Sequence, residues 1–294
     1  MTYAFAWAMD VWIVAPDTGA VYREVGDALR AEVERVQPGV VRWSVVPLQK
    51  LDTLPESPRL VVTVGSSALT AVVARTSSGT GPAPAILATL LPRAAFEREI
   101  GRAAFKLNAS AILLDQPPAR QAALIRTALP AAKRIGLLLG PESRVLAPAF
   151  RQALTEQGLN PNFEDVTQRG LFAALQSLLE DNDVLLALAD PAVFNSETVG
   201  NVLTAGYRRK VPLIAFSSAY VRAGALLGLY TTPAQIGRAG AESVRAMLAG
   251  AMLPPPAVPR EFVIEVNAVV ARSLGLTLNA DDLQQRMRSG ERQP

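Results

Sequence analysis

The stretch GALLGLYTTPAQIGRAGAESVRAMLAG, Gly224 to Gly250, reads as a buried strand, a polar turn and a long helix in immediate succession. Leu226 to Leu229 is a short apolar run, Tyr230-Thr231-Thr232 is a turn, and Ala234 to Leu248 carries apolar residues at helical spacing. A proline-rich segment follows, and FVIEVNAVVARSLGL, Phe262 to Leu276, adds a closing strand and helix.

Outward from this stretch the same alternation fills the chain. Val11–Ala15, Val41–Val46, Leu60–Val64, Ala85–Ala88, Ala111–Leu114, Ile135–Leu139, Val184–Leu188 and Leu213–Phe216 are apolar runs bounded by turn or polar residues, as buried parallel strands are. Between them Tyr22, Val25, Leu29, Val33 and Val36 recur at three- and four-residue steps, and Gln121–Ala132, Leu146–Gln157, Leu171–Glu180 and Thr198–Arg208 also have helical patterning. The expected class is α/β, with open, mostly parallel sheets covered by helices on both faces. For 294 residues, two smaller sheets fit better than one sheet of nine strands.

Composition narrows the chemistry. The chain has no His and no Cys, so it cannot assemble a Ser-His-Asp or Cys-His nucleophilic site, or a metal site built on imidazole or thiolate. Carboxylate chemistry is open to its 26 acidic residues, but no clustered acidic motif is present, and neither a metal nor a cofactor is expected. A dinucleotide enzyme is disfavoured: no G-x-G-x-x-G follows the first strand, and the glycines Gly136 and Gly140 are wrongly spaced for one. The net charge of +3 comes from 29 basic and 26 acidic residues spread along the chain, which does not imply nucleic acid. The densest basic run, Arg208-Arg209-Lys210, suits a solvated helix C-terminus.

In open α/β sheets ligands bind outside the carboxyl ends of the strands, so the loops there supply the candidates. After the first strand come Asp17 and Thr18; after Leu60–Val64 come Ser66 and Ser67, at a helix start suited to a carboxylate or acting as its N-cap. Asp115 and Gln116 follow Ala111–Leu114, with Asp115 open to a ligand ammonium or to capping. Asp190 is the leading charged candidate, since a carboxylate at a buried strand's end needs a partner, although helix capping would also satisfy it. Phe194 offers an aromatic wall, Phe216, Ser217 and Ser218 continue the ring, and Tyr230 can stack or donate, or be core.

The segments Leu129–Ser143 (LPAAKRIGLLLGPES), Val211–Val244 and Phe262–Leu276 resemble the ABC-transporter substrate-binding protein family, the tryptophan- and tyrosine-type solute-binding proteins of periplasmic-binding-protein type I architecture. The resemblance spans about Leu60 to Leu278, and is strong in the second half and weak before Leu60. It implies two Rossmann-like lobes with three interlobe crossings, 9–114 plus 219–250 and 115–218 plus 251–276; the polar tail, 277–294, itself reads as a short helix that frays into disorder. It also implies that the turns at Ser66-Ser67, Asp190 and Ser217-Ser218 line an interlobe cleft closing on a small ligand, as an aromatic amino acid or other small solute. The implied protein is a monomer that is not an enzyme and serves either the membrane permease of an importer or a membrane sensor or kinase. One departure is the connection Pro47–Arg59, thirteen residues where the family has a further helix. The apolar lead MTYAFAWAM, Met1 to Met9, lacks a basic n-region, while Ala6-Trp7-Ala8 has the small-x-small form of a cleavage site. The expectation is a periplasmic protein with the tail of a truncated signal peptide; the alternative is an apolar lead-in to the first strand.

Overall fold

The computed structural model describes residues 9–16, 19–54, 57–79, 82–103 and 105–291; the lead Met1–Ala8, Asp17 and Thr18 lie outside them. The chain divides into two compact units, the first containing residues up to Leu114 and Thr231–Glu261, the second Asp115–Tyr230 and everything from Phe262.

Unit one opens with β1 (Met9–Ala15), α1 (Ala20–Val36), β2 (Val41–Pro47), β3 (Leu60–Val64), α2 (Ser66–Ser78), β4 (Ala85–Leu91), α3 (Arg93–Gly101) and β5 (Ala109–Leu113). The strands form one sheet in the order β2-β1-β3-β4-β5, every pairing parallel. All five residues of β3 are buried, which explains a sequence that is apolar except for Thr63: helices cover both of its faces. Val25, Leu29 and Val33 of α1 pack on one face, and Leu69, Val72 and Val73 of α2 on the other. Among the described residues, the short β2–β3 connection forms a 3-10 turn, Leu48–Thr53. A cavity of about 720 Å³ lies beside Trp12, Val61 and Arg75, near the amino ends of β3 and β4.

Unit two continues with α4 (Pro118–Ala128), β6 (Arg134–Leu139), α5 (Ala147–Glu156), β7 (Asn160–Asp165), α6 (Val166–Arg169), α7 (Leu171–Asp181), β8 (Val184–Leu186), α8 (Val199–Arg209), β9 (Leu213–Ala215), α9 (Ser218–Ala223) and β10 (Leu227–Tyr230). The basic run ends α8, with Lys210 in the left-handed conformation that closes it. The chain then returns to unit one as α10 (Pro233–Leu248), which starts with a capping box between Thr232 and Gln235. α10 lies against α1 so closely that a methyl at Gly237 would strike the Val25 carbonyl. A last passage gives β11 (Val263–Val266), α11 (Ala268–Ser273) and α12 (Ala280–Glu291) to unit two. Its sheet runs β11-β10-β9-β8-β6-β7, parallel except for the antiparallel β10–β11 edge.

The backbone therefore passes between units three times, at 114/115, 230/231 and 261/262. Two of the expected boundaries are corrected. Residues 219–230 belong to unit two because β10 pairs with β9 and β11, and 251–261 belong to unit one, where Ala257 bridges to Ile112. The tail forms the expected helix but does not fray over 280–291: α12 docks on unit two and buries Leu283 and Met287 in its core.

Candidate ligand-binding loops

Each sheet has one point where the strand order reverses, and the loops on either side of it diverge to leave a crevice at the carboxyl ends. In unit one this point lies between β1 and β3. Gly65, at φ 90°, turns the chain out of β3 and donates its N–H to the Thr89 carbonyl at 2.9 Å. α2 starts at once, and no side chain caps it. Ser66 and Ser67, half-buried and exposed, thus do not serve as caps, and among the described residues no side chain accepts the first N–H groups of α2. Tyr22 lies across this crevice: a methyl at Gly19 would come within 2.9 Å of its ring, and one at Gly65 within 3.2 Å. Sequence reasoning treated Tyr22 as one position in the apolar stripe of α1; the glycine three residues before it was the available signal.

Unit two reverses between β6 and β8, and here the crevice is filled from within. Asp190 is 1% exposed. Its Oδ2 accepts the Glu142 and Ser143 N–H groups at 2.9 and 2.8 Å and the Ser143 hydroxyl at 2.8 Å, while Oδ1 accepts the Ala192 N–H at 3.0 Å. Gly140 donates to the same Ser143 hydroxyl at 2.9 Å, and a Cβ at Gly140 would lie 2.5 Å from Oδ1. Asp190 thus staples the loop after β6 to the loop after β8. Its bonding capacity goes to the protein's own backbone, which is a different task from the ligand contact expected of it.

Beyond the staple, Phe194, Phe216 and Tyr220 form an aromatic trio. Phe194 meets Phe216 and Tyr220 edge-on at 6.1 and 6.2 Å between centroids, and Phe216 and Tyr220 are 4.9 Å apart. Phe194 is buried, whereas Phe216 and Tyr220 are half-buried. Burial raises the Tyr220 phenol above its ordinary value, so it stays neutral. Ser217 and Ser218 start α9, and the Ser218 hydroxyl accepts from Arg222 at 2.6 Å. Tyr230, at the end of β10, donates to Glu265 Oε2 at 2.7 Å; burial, and then this hydrogen bond, raise its pKa. The carboxyl end of unit two thereby brings together aromatic rings, hydroxyls and one exposed guanidinium.

Asp115 and Gln116 sit where the chain enters unit two, Asp115 half-buried and Gln116 buried. The Gln116 side chain accepts from Arg120 at 2.8 Å. Among the described residues no group of three or more acidic side chains could hold a metal ion. Among them also, no helix is long and apolar enough to cross a membrane.

The model of the ABC transporter substrate binding protein family matches residues 108–286, more than half of the chain. The chain belongs to that family. Substrate-binding proteins of the same fold stand among its structural relatives. The ligand-free, open structure of CD0873, a substrate binding protein with adhesive properties from Clostridium difficile, superposes with a TM-score of 0.69 at 16% identity, covering 94% of this chain and 97% of that one. The ABC domain in complex with L-Trp from Streptococcus pneumonia gives 0.63 at 15% identity, with 94% and 98% covered. A conserved domain protein from Vibrio cholerae gives 0.63 at 18% identity, with 95% and 98% covered. No curated protein sequence matches the chain. The two-lobed, mostly parallel α/β architecture is that of the periplasmic binding proteins.

Proposed function

We propose that this chain is the solute-binding component of an ABC importer, acting in the periplasm as a monomer that is not an enzyme and delivering its cargo to a membrane permease. In this reading hinge closure of the two lobes captures a small amino-acid-like or other small organic molecule. The observation that carries it is the architecture: two separately cored sheets, each with loops at a strand-order reversal, joined by three backbone passages. The side chains support the ligand class. Half-buried Phe216 and Tyr220 suit an apolar or aromatic body, and the uncapped start of α2 beside Ser66 and Ser67 suits a carboxylate. A structural relative bound to L-Trp places aromatic amino acids first among solutes to try.

The test is a thermal-shift panel of amino acids, small carboxylates, nucleosides and vitamins on the purified protein. A solute at about 100 times its Kd should stabilise the fold by about 2.7 kcal/mol. A saturable shift confirmed by calorimetry, and lost when Tyr220 and Phe216 are both replaced by Ala, supports the reading. Silence across the panel, with a nicotinamide or nucleotide cofactor moving the transition instead, overturns it.

A further inference from the structure

The last helix does more than cover apolar surface. Leu283 and Met287 would suffice for that, yet Gln284 and Glu291 of α12 reach the two points where the backbone enters unit two. At the first, Arg120 is 8% exposed and donates to Gln116 at 2.8 Å; its Nε and Nη2 donate to the two carboxylate oxygens of Glu291, at 2.5 and 3.3 Å. Its guanidinium also lies 4.4 Å from the ring centroid of Phe262, the first residue after the last passage. At that passage the Gln284 amide accepts from the Ile264 N–H at 2.8 Å and donates to the Phe262 carbonyl at 3.1 Å. β11 is an edge strand, and Gln284 supplies it with the donor and acceptor that a neighbouring strand would have offered.

We propose that α12 is a hinge strap: Gln284 and Glu291, acting through Phe262 and Arg120, fix the direction in which the backbone enters unit two and so set the range of motion between the units. Arg120 is the positioning residue of this device, because one planar fork holds both entry segments and the helix end together. The proposal does not rest on the importer reading and needs no ligand for its test.

The chain has no cysteine, so cysteines introduced at the exposed Glu24 of unit one and Glu180 of unit two would be its only thiols for spin labels. Interlabel distances are then measured by double electron–electron resonance in the wild-type background and in the double variant Gln284→Ala/Glu291→Ala. Arg288→Ala, an exposed change on the same helix, is the control. Amide exchange is followed on unlabelled protein. A broadened distance distribution is expected in the double variant, with exchange about tenfold faster at 115–117 and 262–264 and unchanged in β1 and α10. Should the double variant fail to fold, Arg120→Lys, which keeps the charge and loses the fork, carries the same expectation. A lower Tm with the distribution and exchange unaltered would show a purely structural helix and overturn the proposal, as would an equal effect from Arg288→Ala.

Discussion

The two strand-order reversals are built alike and filled differently. In unit two the loop N–H groups of Glu142 and Ser143 are answered by the chain's own carboxylate, Asp190, which is sealed from solvent. In unit one the start of α2 at Ser66, which follows β3 and so matches the chain after β8, has no side-chain cap among the described residues, and the Tyr22 ring lies beside the two glycines that border it. The same topology thus yields one crevice whose loops are joined by the chain's own carboxylate and one in which, among the described residues, no side chain accepts from the helix start. Asp190 shows what kind of group such a crevice holds, and the contrast separates residues whose loss should unfold the protein from residues whose loss should affect only binding.

The largest break in this comparison is Asp190→Ala. It leaves the N–H groups of Glu142, Ser143 and Ala192 and the Ser143 hydroxyl without their acceptor, so a loss of about 3 kcal/mol or more is expected, read as a lower urea midpoint at constant m. If Asp190 were a ligand contact only, the apo stability would hold. Gly140→Ala attacks the same staple by space: its new methyl must push the Asp190 carboxylate aside, at a cost of about 1–3 kcal/mol.

A smaller effect comes from Asp183, a second carboxylate of unit two that is aimed at backbone but reachable by water. Burial pulls its pKa up, yet N–H bonds from Arg134 and Lys133, with the Arg134 guanidinium, more than offset this and hold it below the ordinary carboxylate value. Its contribution is therefore present above the unfolded value of about 3.9 and is lost as pH falls through the lower folded value. Urea titrations at falling pH should show wild type losing its advantage over Asp183→Asn across that window. A gap between the two proteins that is constant with pH would refute the assignment.

The sequence carried most of the sheets because buried parallel strands are written as unbroken apolar runs. β7, Asn160–Asp165, escaped notice since it is an edge strand with half-buried and exposed residues and no such run. The boundary expected at 218/219 misplaced β10, because strand pairing, unlike strand existence, leaves no local trace. α12 is legible as a short helix but not as a docked one; the clue to its docking is Leu283 and Met287, about one helical turn apart. The candidate loops were legible from the rule that ligands meet the carboxyl ends of strands. What each loop residue does there was not: the partners of Asp190 lie 47 and 48 residues upstream, and no spacing rule connects them.

The smallest expected change in stability is the sharpest probe of the comparison. Ser66→Ala with Ser67→Ala removes two hydroxyls that cap nothing, so apo stability should stay within about 0.5 kcal/mol of wild type. Ser143→Ala, the serine of the other crevice, should cost about 1–2 kcal/mol, because its hydroxyl both receives Gly140 and gives to Asp190. Binding should run the opposite way for the first pair: toward a carboxylate solute found in the panel, the double serine variant should lose about tenfold in affinity, or about 1.4 kcal/mol. Calorimetry on the three proteins decides it. Equal destabilisation by the serines of both crevices, or an unchanged Kd in the Ser66 and Ser67 double variant, would mean that the unit-one crevice is no more open to a ligand than its stapled counterpart.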